Sequence, residues 1–149
     1  TVAVDAQSRK FILDGIKNLA ENGSSILYTT HYLDEAEYLC NKISIMDNGK
    51  NILTGDMQTL INGVSVKEKI TVVGFIKPEI ISILEKQDEV IDVEAKENQV
   101  TFNYSSDTGN IKKLIYLLDE NNVVYEEIFS KKPKLEDIFL EMTGKELRE

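Results

Sequence analysis

Ser25-Ile26-Leu27-Tyr28-Thr29-Thr30-His31-Tyr32-Leu33-Asp34-Glu35-Ala36-Glu37 is the stretch that sets the fold class of this chain. Its first six residues are apolar or hydroxylated, partly β-branched and without strict alternation, which predicts a short strand covered on both faces. The acidic residues after the histidine suit the first turns of a helix, where the helix dipole favours carboxylates. His31 is the only histidine in the sequence. An imidazole at the carboxyl end of a buried strand sits where open α/β sheets present side chains to ligands, and the ring suits phosphate contact or proton movement. Spacing alone leaves an ordinary structural role open beside that one.

Upstream, Ile12, Ile16, Leu19 and Ala20 recur at the spacing of one helical face, with Asp5 as N-cap and Gly23 as the stop. Helix, buried strand, helix is the grammar of an α/β domain. Downstream, Leu33, Ala36 and Cys40 fit a short helix, and the runs Lys42 to Asp47 and Lys50 to Thr54 flank Asn48-Gly49, a strong local signal for a tight hairpin. Gly55 ends that hairpin, and Met57, Leu60 and Ile61 suit one or two helical turns. From Gly63 to Lys69 the pattern relaxes, so a domain boundary is placed there, dividing the chain into residues 1–64 and 65–149.

The periodicity restarts in a new order. Ile70 to Ile76 reads as a strand, Pro78 opens a helix with Ile80, Ile81 and Leu84 inward, and Val90 to Ala95 and Gln99 to Tyr104 alternate around Glu97-Asn98 as a second hairpin. Ile111, Leu114, Ile115 and Leu118 mark another helix, and Val123 to Phe129 another strand. Strand, helix, strand, strand, helix, strand is the split βαβ of a ferredoxin-like α+β domain. A terminal helix after Pro133 carries Leu135, Ile138, Phe139 and Met142 and stops at Gly144.

Composition narrows the function classes. With 42% hydrophobic residues in 149 the chain can bury a core, while a formal net charge of -9 disfavours non-specific binding to nucleic acid or anionic lipid. Residues 1–62 carry a net charge of -3 and residues 63–149 one of -6, so neither half looks like a nucleic-acid domain. The single Cys40 forms no intramolecular disulfide, which fits a reducing compartment; at helical spacing from Leu33 and Ala36 it reads as core. Met46, Met57 and Met142 read as packing residues, and Asp34, Glu35 and Glu37 as solvated acids near a helix start rather than a metal site. The chain begins at Thr1 and enters a helix almost at once, so it is expected to be a piece of a longer product.

The string TTHYLDEAEYLCNKISIMDNGKNILTGDMQTL resembles the end of the nucleotide-binding domain of ATP-binding cassette (ABC) transporters, with His31 in the place of the switch histidine. Thr1 to Arg9 is similar to the stretch after the Walker B motif, Thr1 ending the usual Asp-Glu-Pro-Thr and Asp5 standing as the D-loop aspartate; Ala3, Val4 and Ala6 depart from the common Gly, Leu and Pro there. Residues 70–149 resemble the C-terminal extension of a bacterial exporter subgroup. The resemblance implies a partial P-loop NTPase-type α/β domain followed by the ferredoxin-like one. It further implies that His31 contacts the γ-phosphate of ATP, that Asp5 couples the two sites of a dimer, and that the whole protein hydrolyses ATP to drive transport.

No G-x-x-x-x-G-K-[ST], no signature Ser-Gly-Gly-Gln and no Walker B carboxylates occur in the sequence. The first half would then be an incomplete sheet, and this chain alone is expected neither to hydrolyse ATP nor to bind ATP and Mg2+ tightly. The partners implied are a membrane permease and a second nucleotide-binding subunit, with a cytoplasmic position on the membrane's inner face and no nucleic acid. The alternative from another class is a regulatory or dimerisation module without catalysis of its own.

Overall fold

Asp5 begins the first helix as the sequence predicts: its carboxylate accepts a hydrogen bond from the Ser8 amide at 2.9 Å, and α1 runs over Ala6–Glu21. The helix ends in a Schellman arrangement, with the Gly23 amide donating to the Ala20 carbonyl at 3.0 Å and the Ser24 amide to Leu19 at 3.1 Å. Gly23 makes the reversal at φ 92°, where a Cβ would be strained. The computed structural model describes residues 4–144, and Thr1 to Ala3 of the D-loop-like stretch lie outside the described residues.

The apolar stripe expected on α1 is largely uncovered. Only Leu13 is buried, while Ile12 is 42% and Leu19 58% exposed. The strand predicted over residues 25–30 does not form: the segment belongs to neither sheet, and Ile26 and Leu27 are 42% and 95% exposed. A fully buried strand needs ladder partners on its edges and cover on its faces; none of the described residues supplies a ladder here, so the apolar run remains an extended connection. It leads through His31 into α2 (Leu33–Leu39).

Beyond α2, β1 (Ile43–Asp47) and β2 (Lys50–Gly55) pair antiparallel, turning through Asn48 at φ 49° and Gly49 at φ 73°. Two successive positive φ values are what a type I′ hairpin turn requires, and Asn-Gly tolerates them best. Met46 is 61% exposed, so the packing role expected of it is corrected: it occupies the outward face of β1, between the buried Ile45 and the half-buried Asp47. Asp56 then caps α3 (Met57–Asn62), accepting from the Thr59 amide at 2.7 Å.

The second sheet contains β3 (Glu68–Val73), β4 (Val90–Lys96), β5 (Gln99–Tyr104) and β6 (Glu127–Lys131), in the spatial order β4-β5-β3-β6 and antiparallel throughout. Helices α4 (Pro78–Leu84) and α5 (Asn110–Glu120) connect β3 to β4 and β5 to β6. The core comprises Ile70, Val72, Val100, Phe102, Leu84, Leu114 and Leu118. Two strand limits differ from the sequence reading by three residues or more. β3 stops at Val73 because Gly74 takes φ 142° and passes so close to Tyr125 that an added Cβ would meet its Cα at 3.0 Å. β6 starts only at Glu127, since Asn122 at φ 52° reverses the chain and Val123 instead donates back to Leu118 at 2.9 Å.

The last helix, α6 (Leu135–Thr143), returns to the first half. Its Leu135 and Ile138 are 1% and 0% exposed in a core made with Ile43, Ile45, Leu60, Ile61 and Val64. Polar contacts fix the docking: the Leu135 amide donates to Glu37 on α2 at 3.3 Å, and the Ser65 amide to Glu141 at 2.6 Å. Lys69 of β3 meets Asp137 at 2.6 Å, so α6 is tied to both sheets' surroundings.

Candidate functional site

His31 is exposed, in a bend between the extended segment and α2, with its ring against that of Tyr32 at a centroid distance of 4.1 Å. The backbone on both sides of it is held by one hydroxyl. Thr30 Oγ1 accepts a hydrogen bond from the Tyr32 amide at 2.9 Å and donates to Glu35 Oε2 at 3.0 Å. The same carboxylate oxygen accepts from the Tyr28 hydroxyl at 2.8 Å. Burial, the hydrogen bond to Glu35 and its negative charge together push the Tyr28 phenol above its ordinary pKa, which keeps it a donor at physiological pH.

Glu35 is 1% exposed, and a carboxylate so placed needs hydrogen bonds and a cation to offset lost hydration. Arg9 on α1 supplies the cation, Nε lying 3.8 Å from Glu35 Oε1, and its guanidinium stands 5.0 Å from the centre of the Tyr32 ring. A second tether closes the outer end of the two helices: the Tyr38 hydroxyl donates to Asp14 at 2.5 Å, with Lys17 Nζ 4.7 Å from the Tyr38 ring centre. The expectation that Glu35 is a solvated acid is therefore corrected. It lies off the Leu33, Ala36, Cys40 stripe of a helix of only 7 residues, so its burial comes from α1 and the extended segment, which no local periodicity reports.

Asp5, the other expected site residue, is exposed, and hydrogen bonds from Ser8 hold its carboxyl below the usual carboxylate range. It remains an anion through the physiological range while capping α1. Its neighbours Val4 and Ala6 line one side of a cleft of about 470 Å³ whose other side is formed by Asp34, Glu35 and Tyr38 of α2. Arg9 crosses this cleft, so the helix begun by Asp5 and the turn carrying His31 are mechanically joined. The chain thus presents two polar groups toward solvent from braced positions. Among the described residues no group of three or more His, Cys, Asp or Glu could hold a metal ion, and no helix is long and apolar enough to cross a membrane.

A mixed α/β fold with two small antiparallel sheets, carrying an exposed histidine on a buttressed turn, defines a class of architecture rather than a reaction. Comparison with known proteins supplies the relationship. No family model matches the chain. It is 33% identical over 155 residues to the linearmycin resistance ATP-binding protein LnrL of Bacillus subtilis, an alignment that covers 100% of this chain and 49% of that protein. It is 29% identical over 150 residues to the Nod factor export ATP-binding protein I of Ralstonia nicotianae, covering 100% of this chain and 46% of the relative. The corresponding protein of Sinorhizobium fredii is 27% identical, with 41% of it covered. The chain is homologous to the ATP-binding proteins of ABC transporters, and it spans about half the length of the curated relatives it matches.

Proposed function

We propose that this chain is the C-terminal part of the ATP-binding subunit of an ABC exporter, contributing His31 and Asp5 to a nucleotide site completed by parts of the protein outside these residues. The observation that carries the reading is an exposed imidazole on a turn braced from both sides, within a chain homologous along its whole length to ATP-binding proteins. Catalysis of phosphoryl transfer rests mainly on positioning and charge stabilisation. An imidazole N–H held at a fixed place can donate to a γ-phosphate oxygen of the substrate ATP and orient the attacking water. Asp5, pinned as an anion at the start of α1, is suited to contact a facing second subunit.

The residues present would form one wall of such a site. The backbone cradle for phosphates and the hydroxyl ligand for Mg2+ come from a Walker A motif, which this sequence lacks. In the intact subunit, ATP binding would close a dimer of cassettes and hydrolysis would reopen it, moving a partner permease from the cytoplasmic side. Relatives named for linearmycin resistance and Nod factor export support an exporter.

The test is His31→Ala in the full-length subunit, with turnover and nucleotide affinity measured separately. Turnover should fall by about 100-fold or more, consistent with loss of a transition-state contact worth several kcal/mol, while affinity changes little. Wild-type turnover would remove His31 from the mechanism.

A second reading concerns the C-terminal domain, residues 65–149, whose strands and helices from 68 to 131 we take as a ferredoxin-like module serving regulation or dimerisation. It is favoured by a core that closes without any residue of the first half. Light scattering of the 149-residue chain over a concentration series tests it, a strict monomer counting against dimerisation.

A further inference from the structure

We propose that Glu35 is a positioning residue for His31, acting through the Thr30 hydroxyl and the Arg9 guanidinium; its catalytic consequence rests on the γ-phosphate role proposed for His31. Glu35 is the most deeply buried acid among the described residues, and from α2 it contacts both the segment leading to the histidine and Arg9 of α1. Through Oε2 it orients the Thr30 hydroxyl, whose lone pair then receives the Tyr32 amide, so one hydrogen-bonded link spans the backbone of His31. Through Oε1 it faces Arg9, whose guanidinium stands over the Tyr32 ring that in turn lies against the imidazole. Tyr28, three residues before the histidine, completes the set as a donor to the same carboxylate.

Nothing about packing demands a carboxylate here. An ion pair replaced whole by apolar residues of similar volume is often neutral or stabilising, whereas removing Glu35 alone would leave Arg9 and two hydroxyls without their acceptor. What only the carboxylate supplies is direction. It accepts at once from Tyr28 and Thr30 and draws Arg9 in from α1, fixing the turn relative to the helix that starts at Asp5. Side chains that hold a reacting group to well under an ångström do so through such second contacts.

Two measurements test this, with Glu35→Gln, Thr30→Val and Thr30→Ser compared in each. Because His31 is the only histidine, its ring protons can be followed unambiguously by NMR in the 149-residue chain. The Tyr32 ring should shift them from random-coil positions in the wild type. In Glu35→Gln and Thr30→Val they should collapse toward random coil while the methyl resonances of the core stay in place, and Thr30→Ser should keep the wild-type signal. Unchanged ring signals in both disruptive variants would overturn the proposal, and Thr30→Val serves if Glu35→Gln does not fold. In the full-length subunit with its permease, Glu35→Gln and Thr30→Val should lower kcat by about 10- to 100-fold with the KM for ATP within about twofold. Added to His31→Ala they should cause no further loss; losses that multiply would show action on the fold rather than through His31 and would overturn it. Wild-type turnover of His31→Ala together with the expected NMR change would instead sink the phosphate role and leave the positioning of the ring standing.

Discussion

Tyr104 shows how a buried side chain converts its surroundings into a pH dependence. It is 4% exposed, near Glu68 and Glu89, and burial followed by those two charges pushes its phenol up to about 12 from an ordinary 10.0. Between these values the unfolded chain has already lost the proton that the folded chain keeps, so the unfolded state binds fewer protons and stability falls as pH rises. Below the lower value the residue contributes no slope. Across that window the folded chain should lose about 2 to 3 kcal/mol of stability. Urea unfolding midpoints measured from pH 9 to pH 12 should therefore drop more steeply in the wild type than in Tyr104→Phe, the difference isolating this phenol from the lysines that titrate alongside it. Equal slopes would mean that Tyr104 is solvated well enough to ionise normally. Glu68 of β3, opposite Tyr104, accepts from Asn110 at 2.8 Å and from the Ser130 hydroxyl, which hold it beside the ring.

Elements that close their own hydrogen bonds were legible from sequence, and those that depend on distant neighbours were not. The two hairpins announced themselves through Asn48-Gly49 and through alternation around Glu97-Asn98, because turn geometry and period are both local. Asp5 likewise betrays its helix by capping within three residues. By contrast, the segment before His31 carries strand-like residues but its ladder partners would have to come from elsewhere, and Glu35 is buried by a helix that ends 12 residues before α2 begins. The docking of α6 was equally invisible, since an amphipathic helix says that one face is covered and not by what. Its core role yields a prediction. Ile138 is fully buried between β1 and α3, so Ile138→Ala should destabilise the chain by about 2 to 5 kcal/mol, read as a lower denaturation midpoint. The sheet core around Phe102 should keep its NMR signals at the temperature where those of Ile43 and Leu60 are lost, because the two clusters share no buried residue. Simultaneous loss of both would show that α6 couples them into one cooperative unit through contacts such as Lys69 to Asp137.

At the scale of the whole molecule, charge and apolar exposure pull against each other. Ile12, Ile16 and Leu19 fall on one stripe of α1 with Phe11 on its flank, and of these Phe11 is 81% and Leu19 58% exposed; Leu27 in the unpaired segment is 95% exposed. Single exposed apolar side chains are ordinary, but several on one helix face and its following segment favour association. A net charge of -9 opposes it by mutual repulsion between copies. The balance is adjustable with salt, because the screening length falls from about 10 Å at 0.1 M to about 3 Å at 1 M, while the attraction between apolar surfaces does not weaken. Raising NaCl across that range should therefore increase the scattering mass of the wild-type chain. The double variant Phe11→Ser with Leu27→Asp should keep its low-salt mass throughout, with a thermal midpoint within about 2 °C of wild type, since neither side chain contributes to a core. Association that rises equally in the variant would place the sticky surface elsewhere, on Phe75 or Val124 at the far end of the second sheet, which are 70% and 86% exposed. Association that falls with added salt would show that opposite charges rather than apolar side chains hold the copies together.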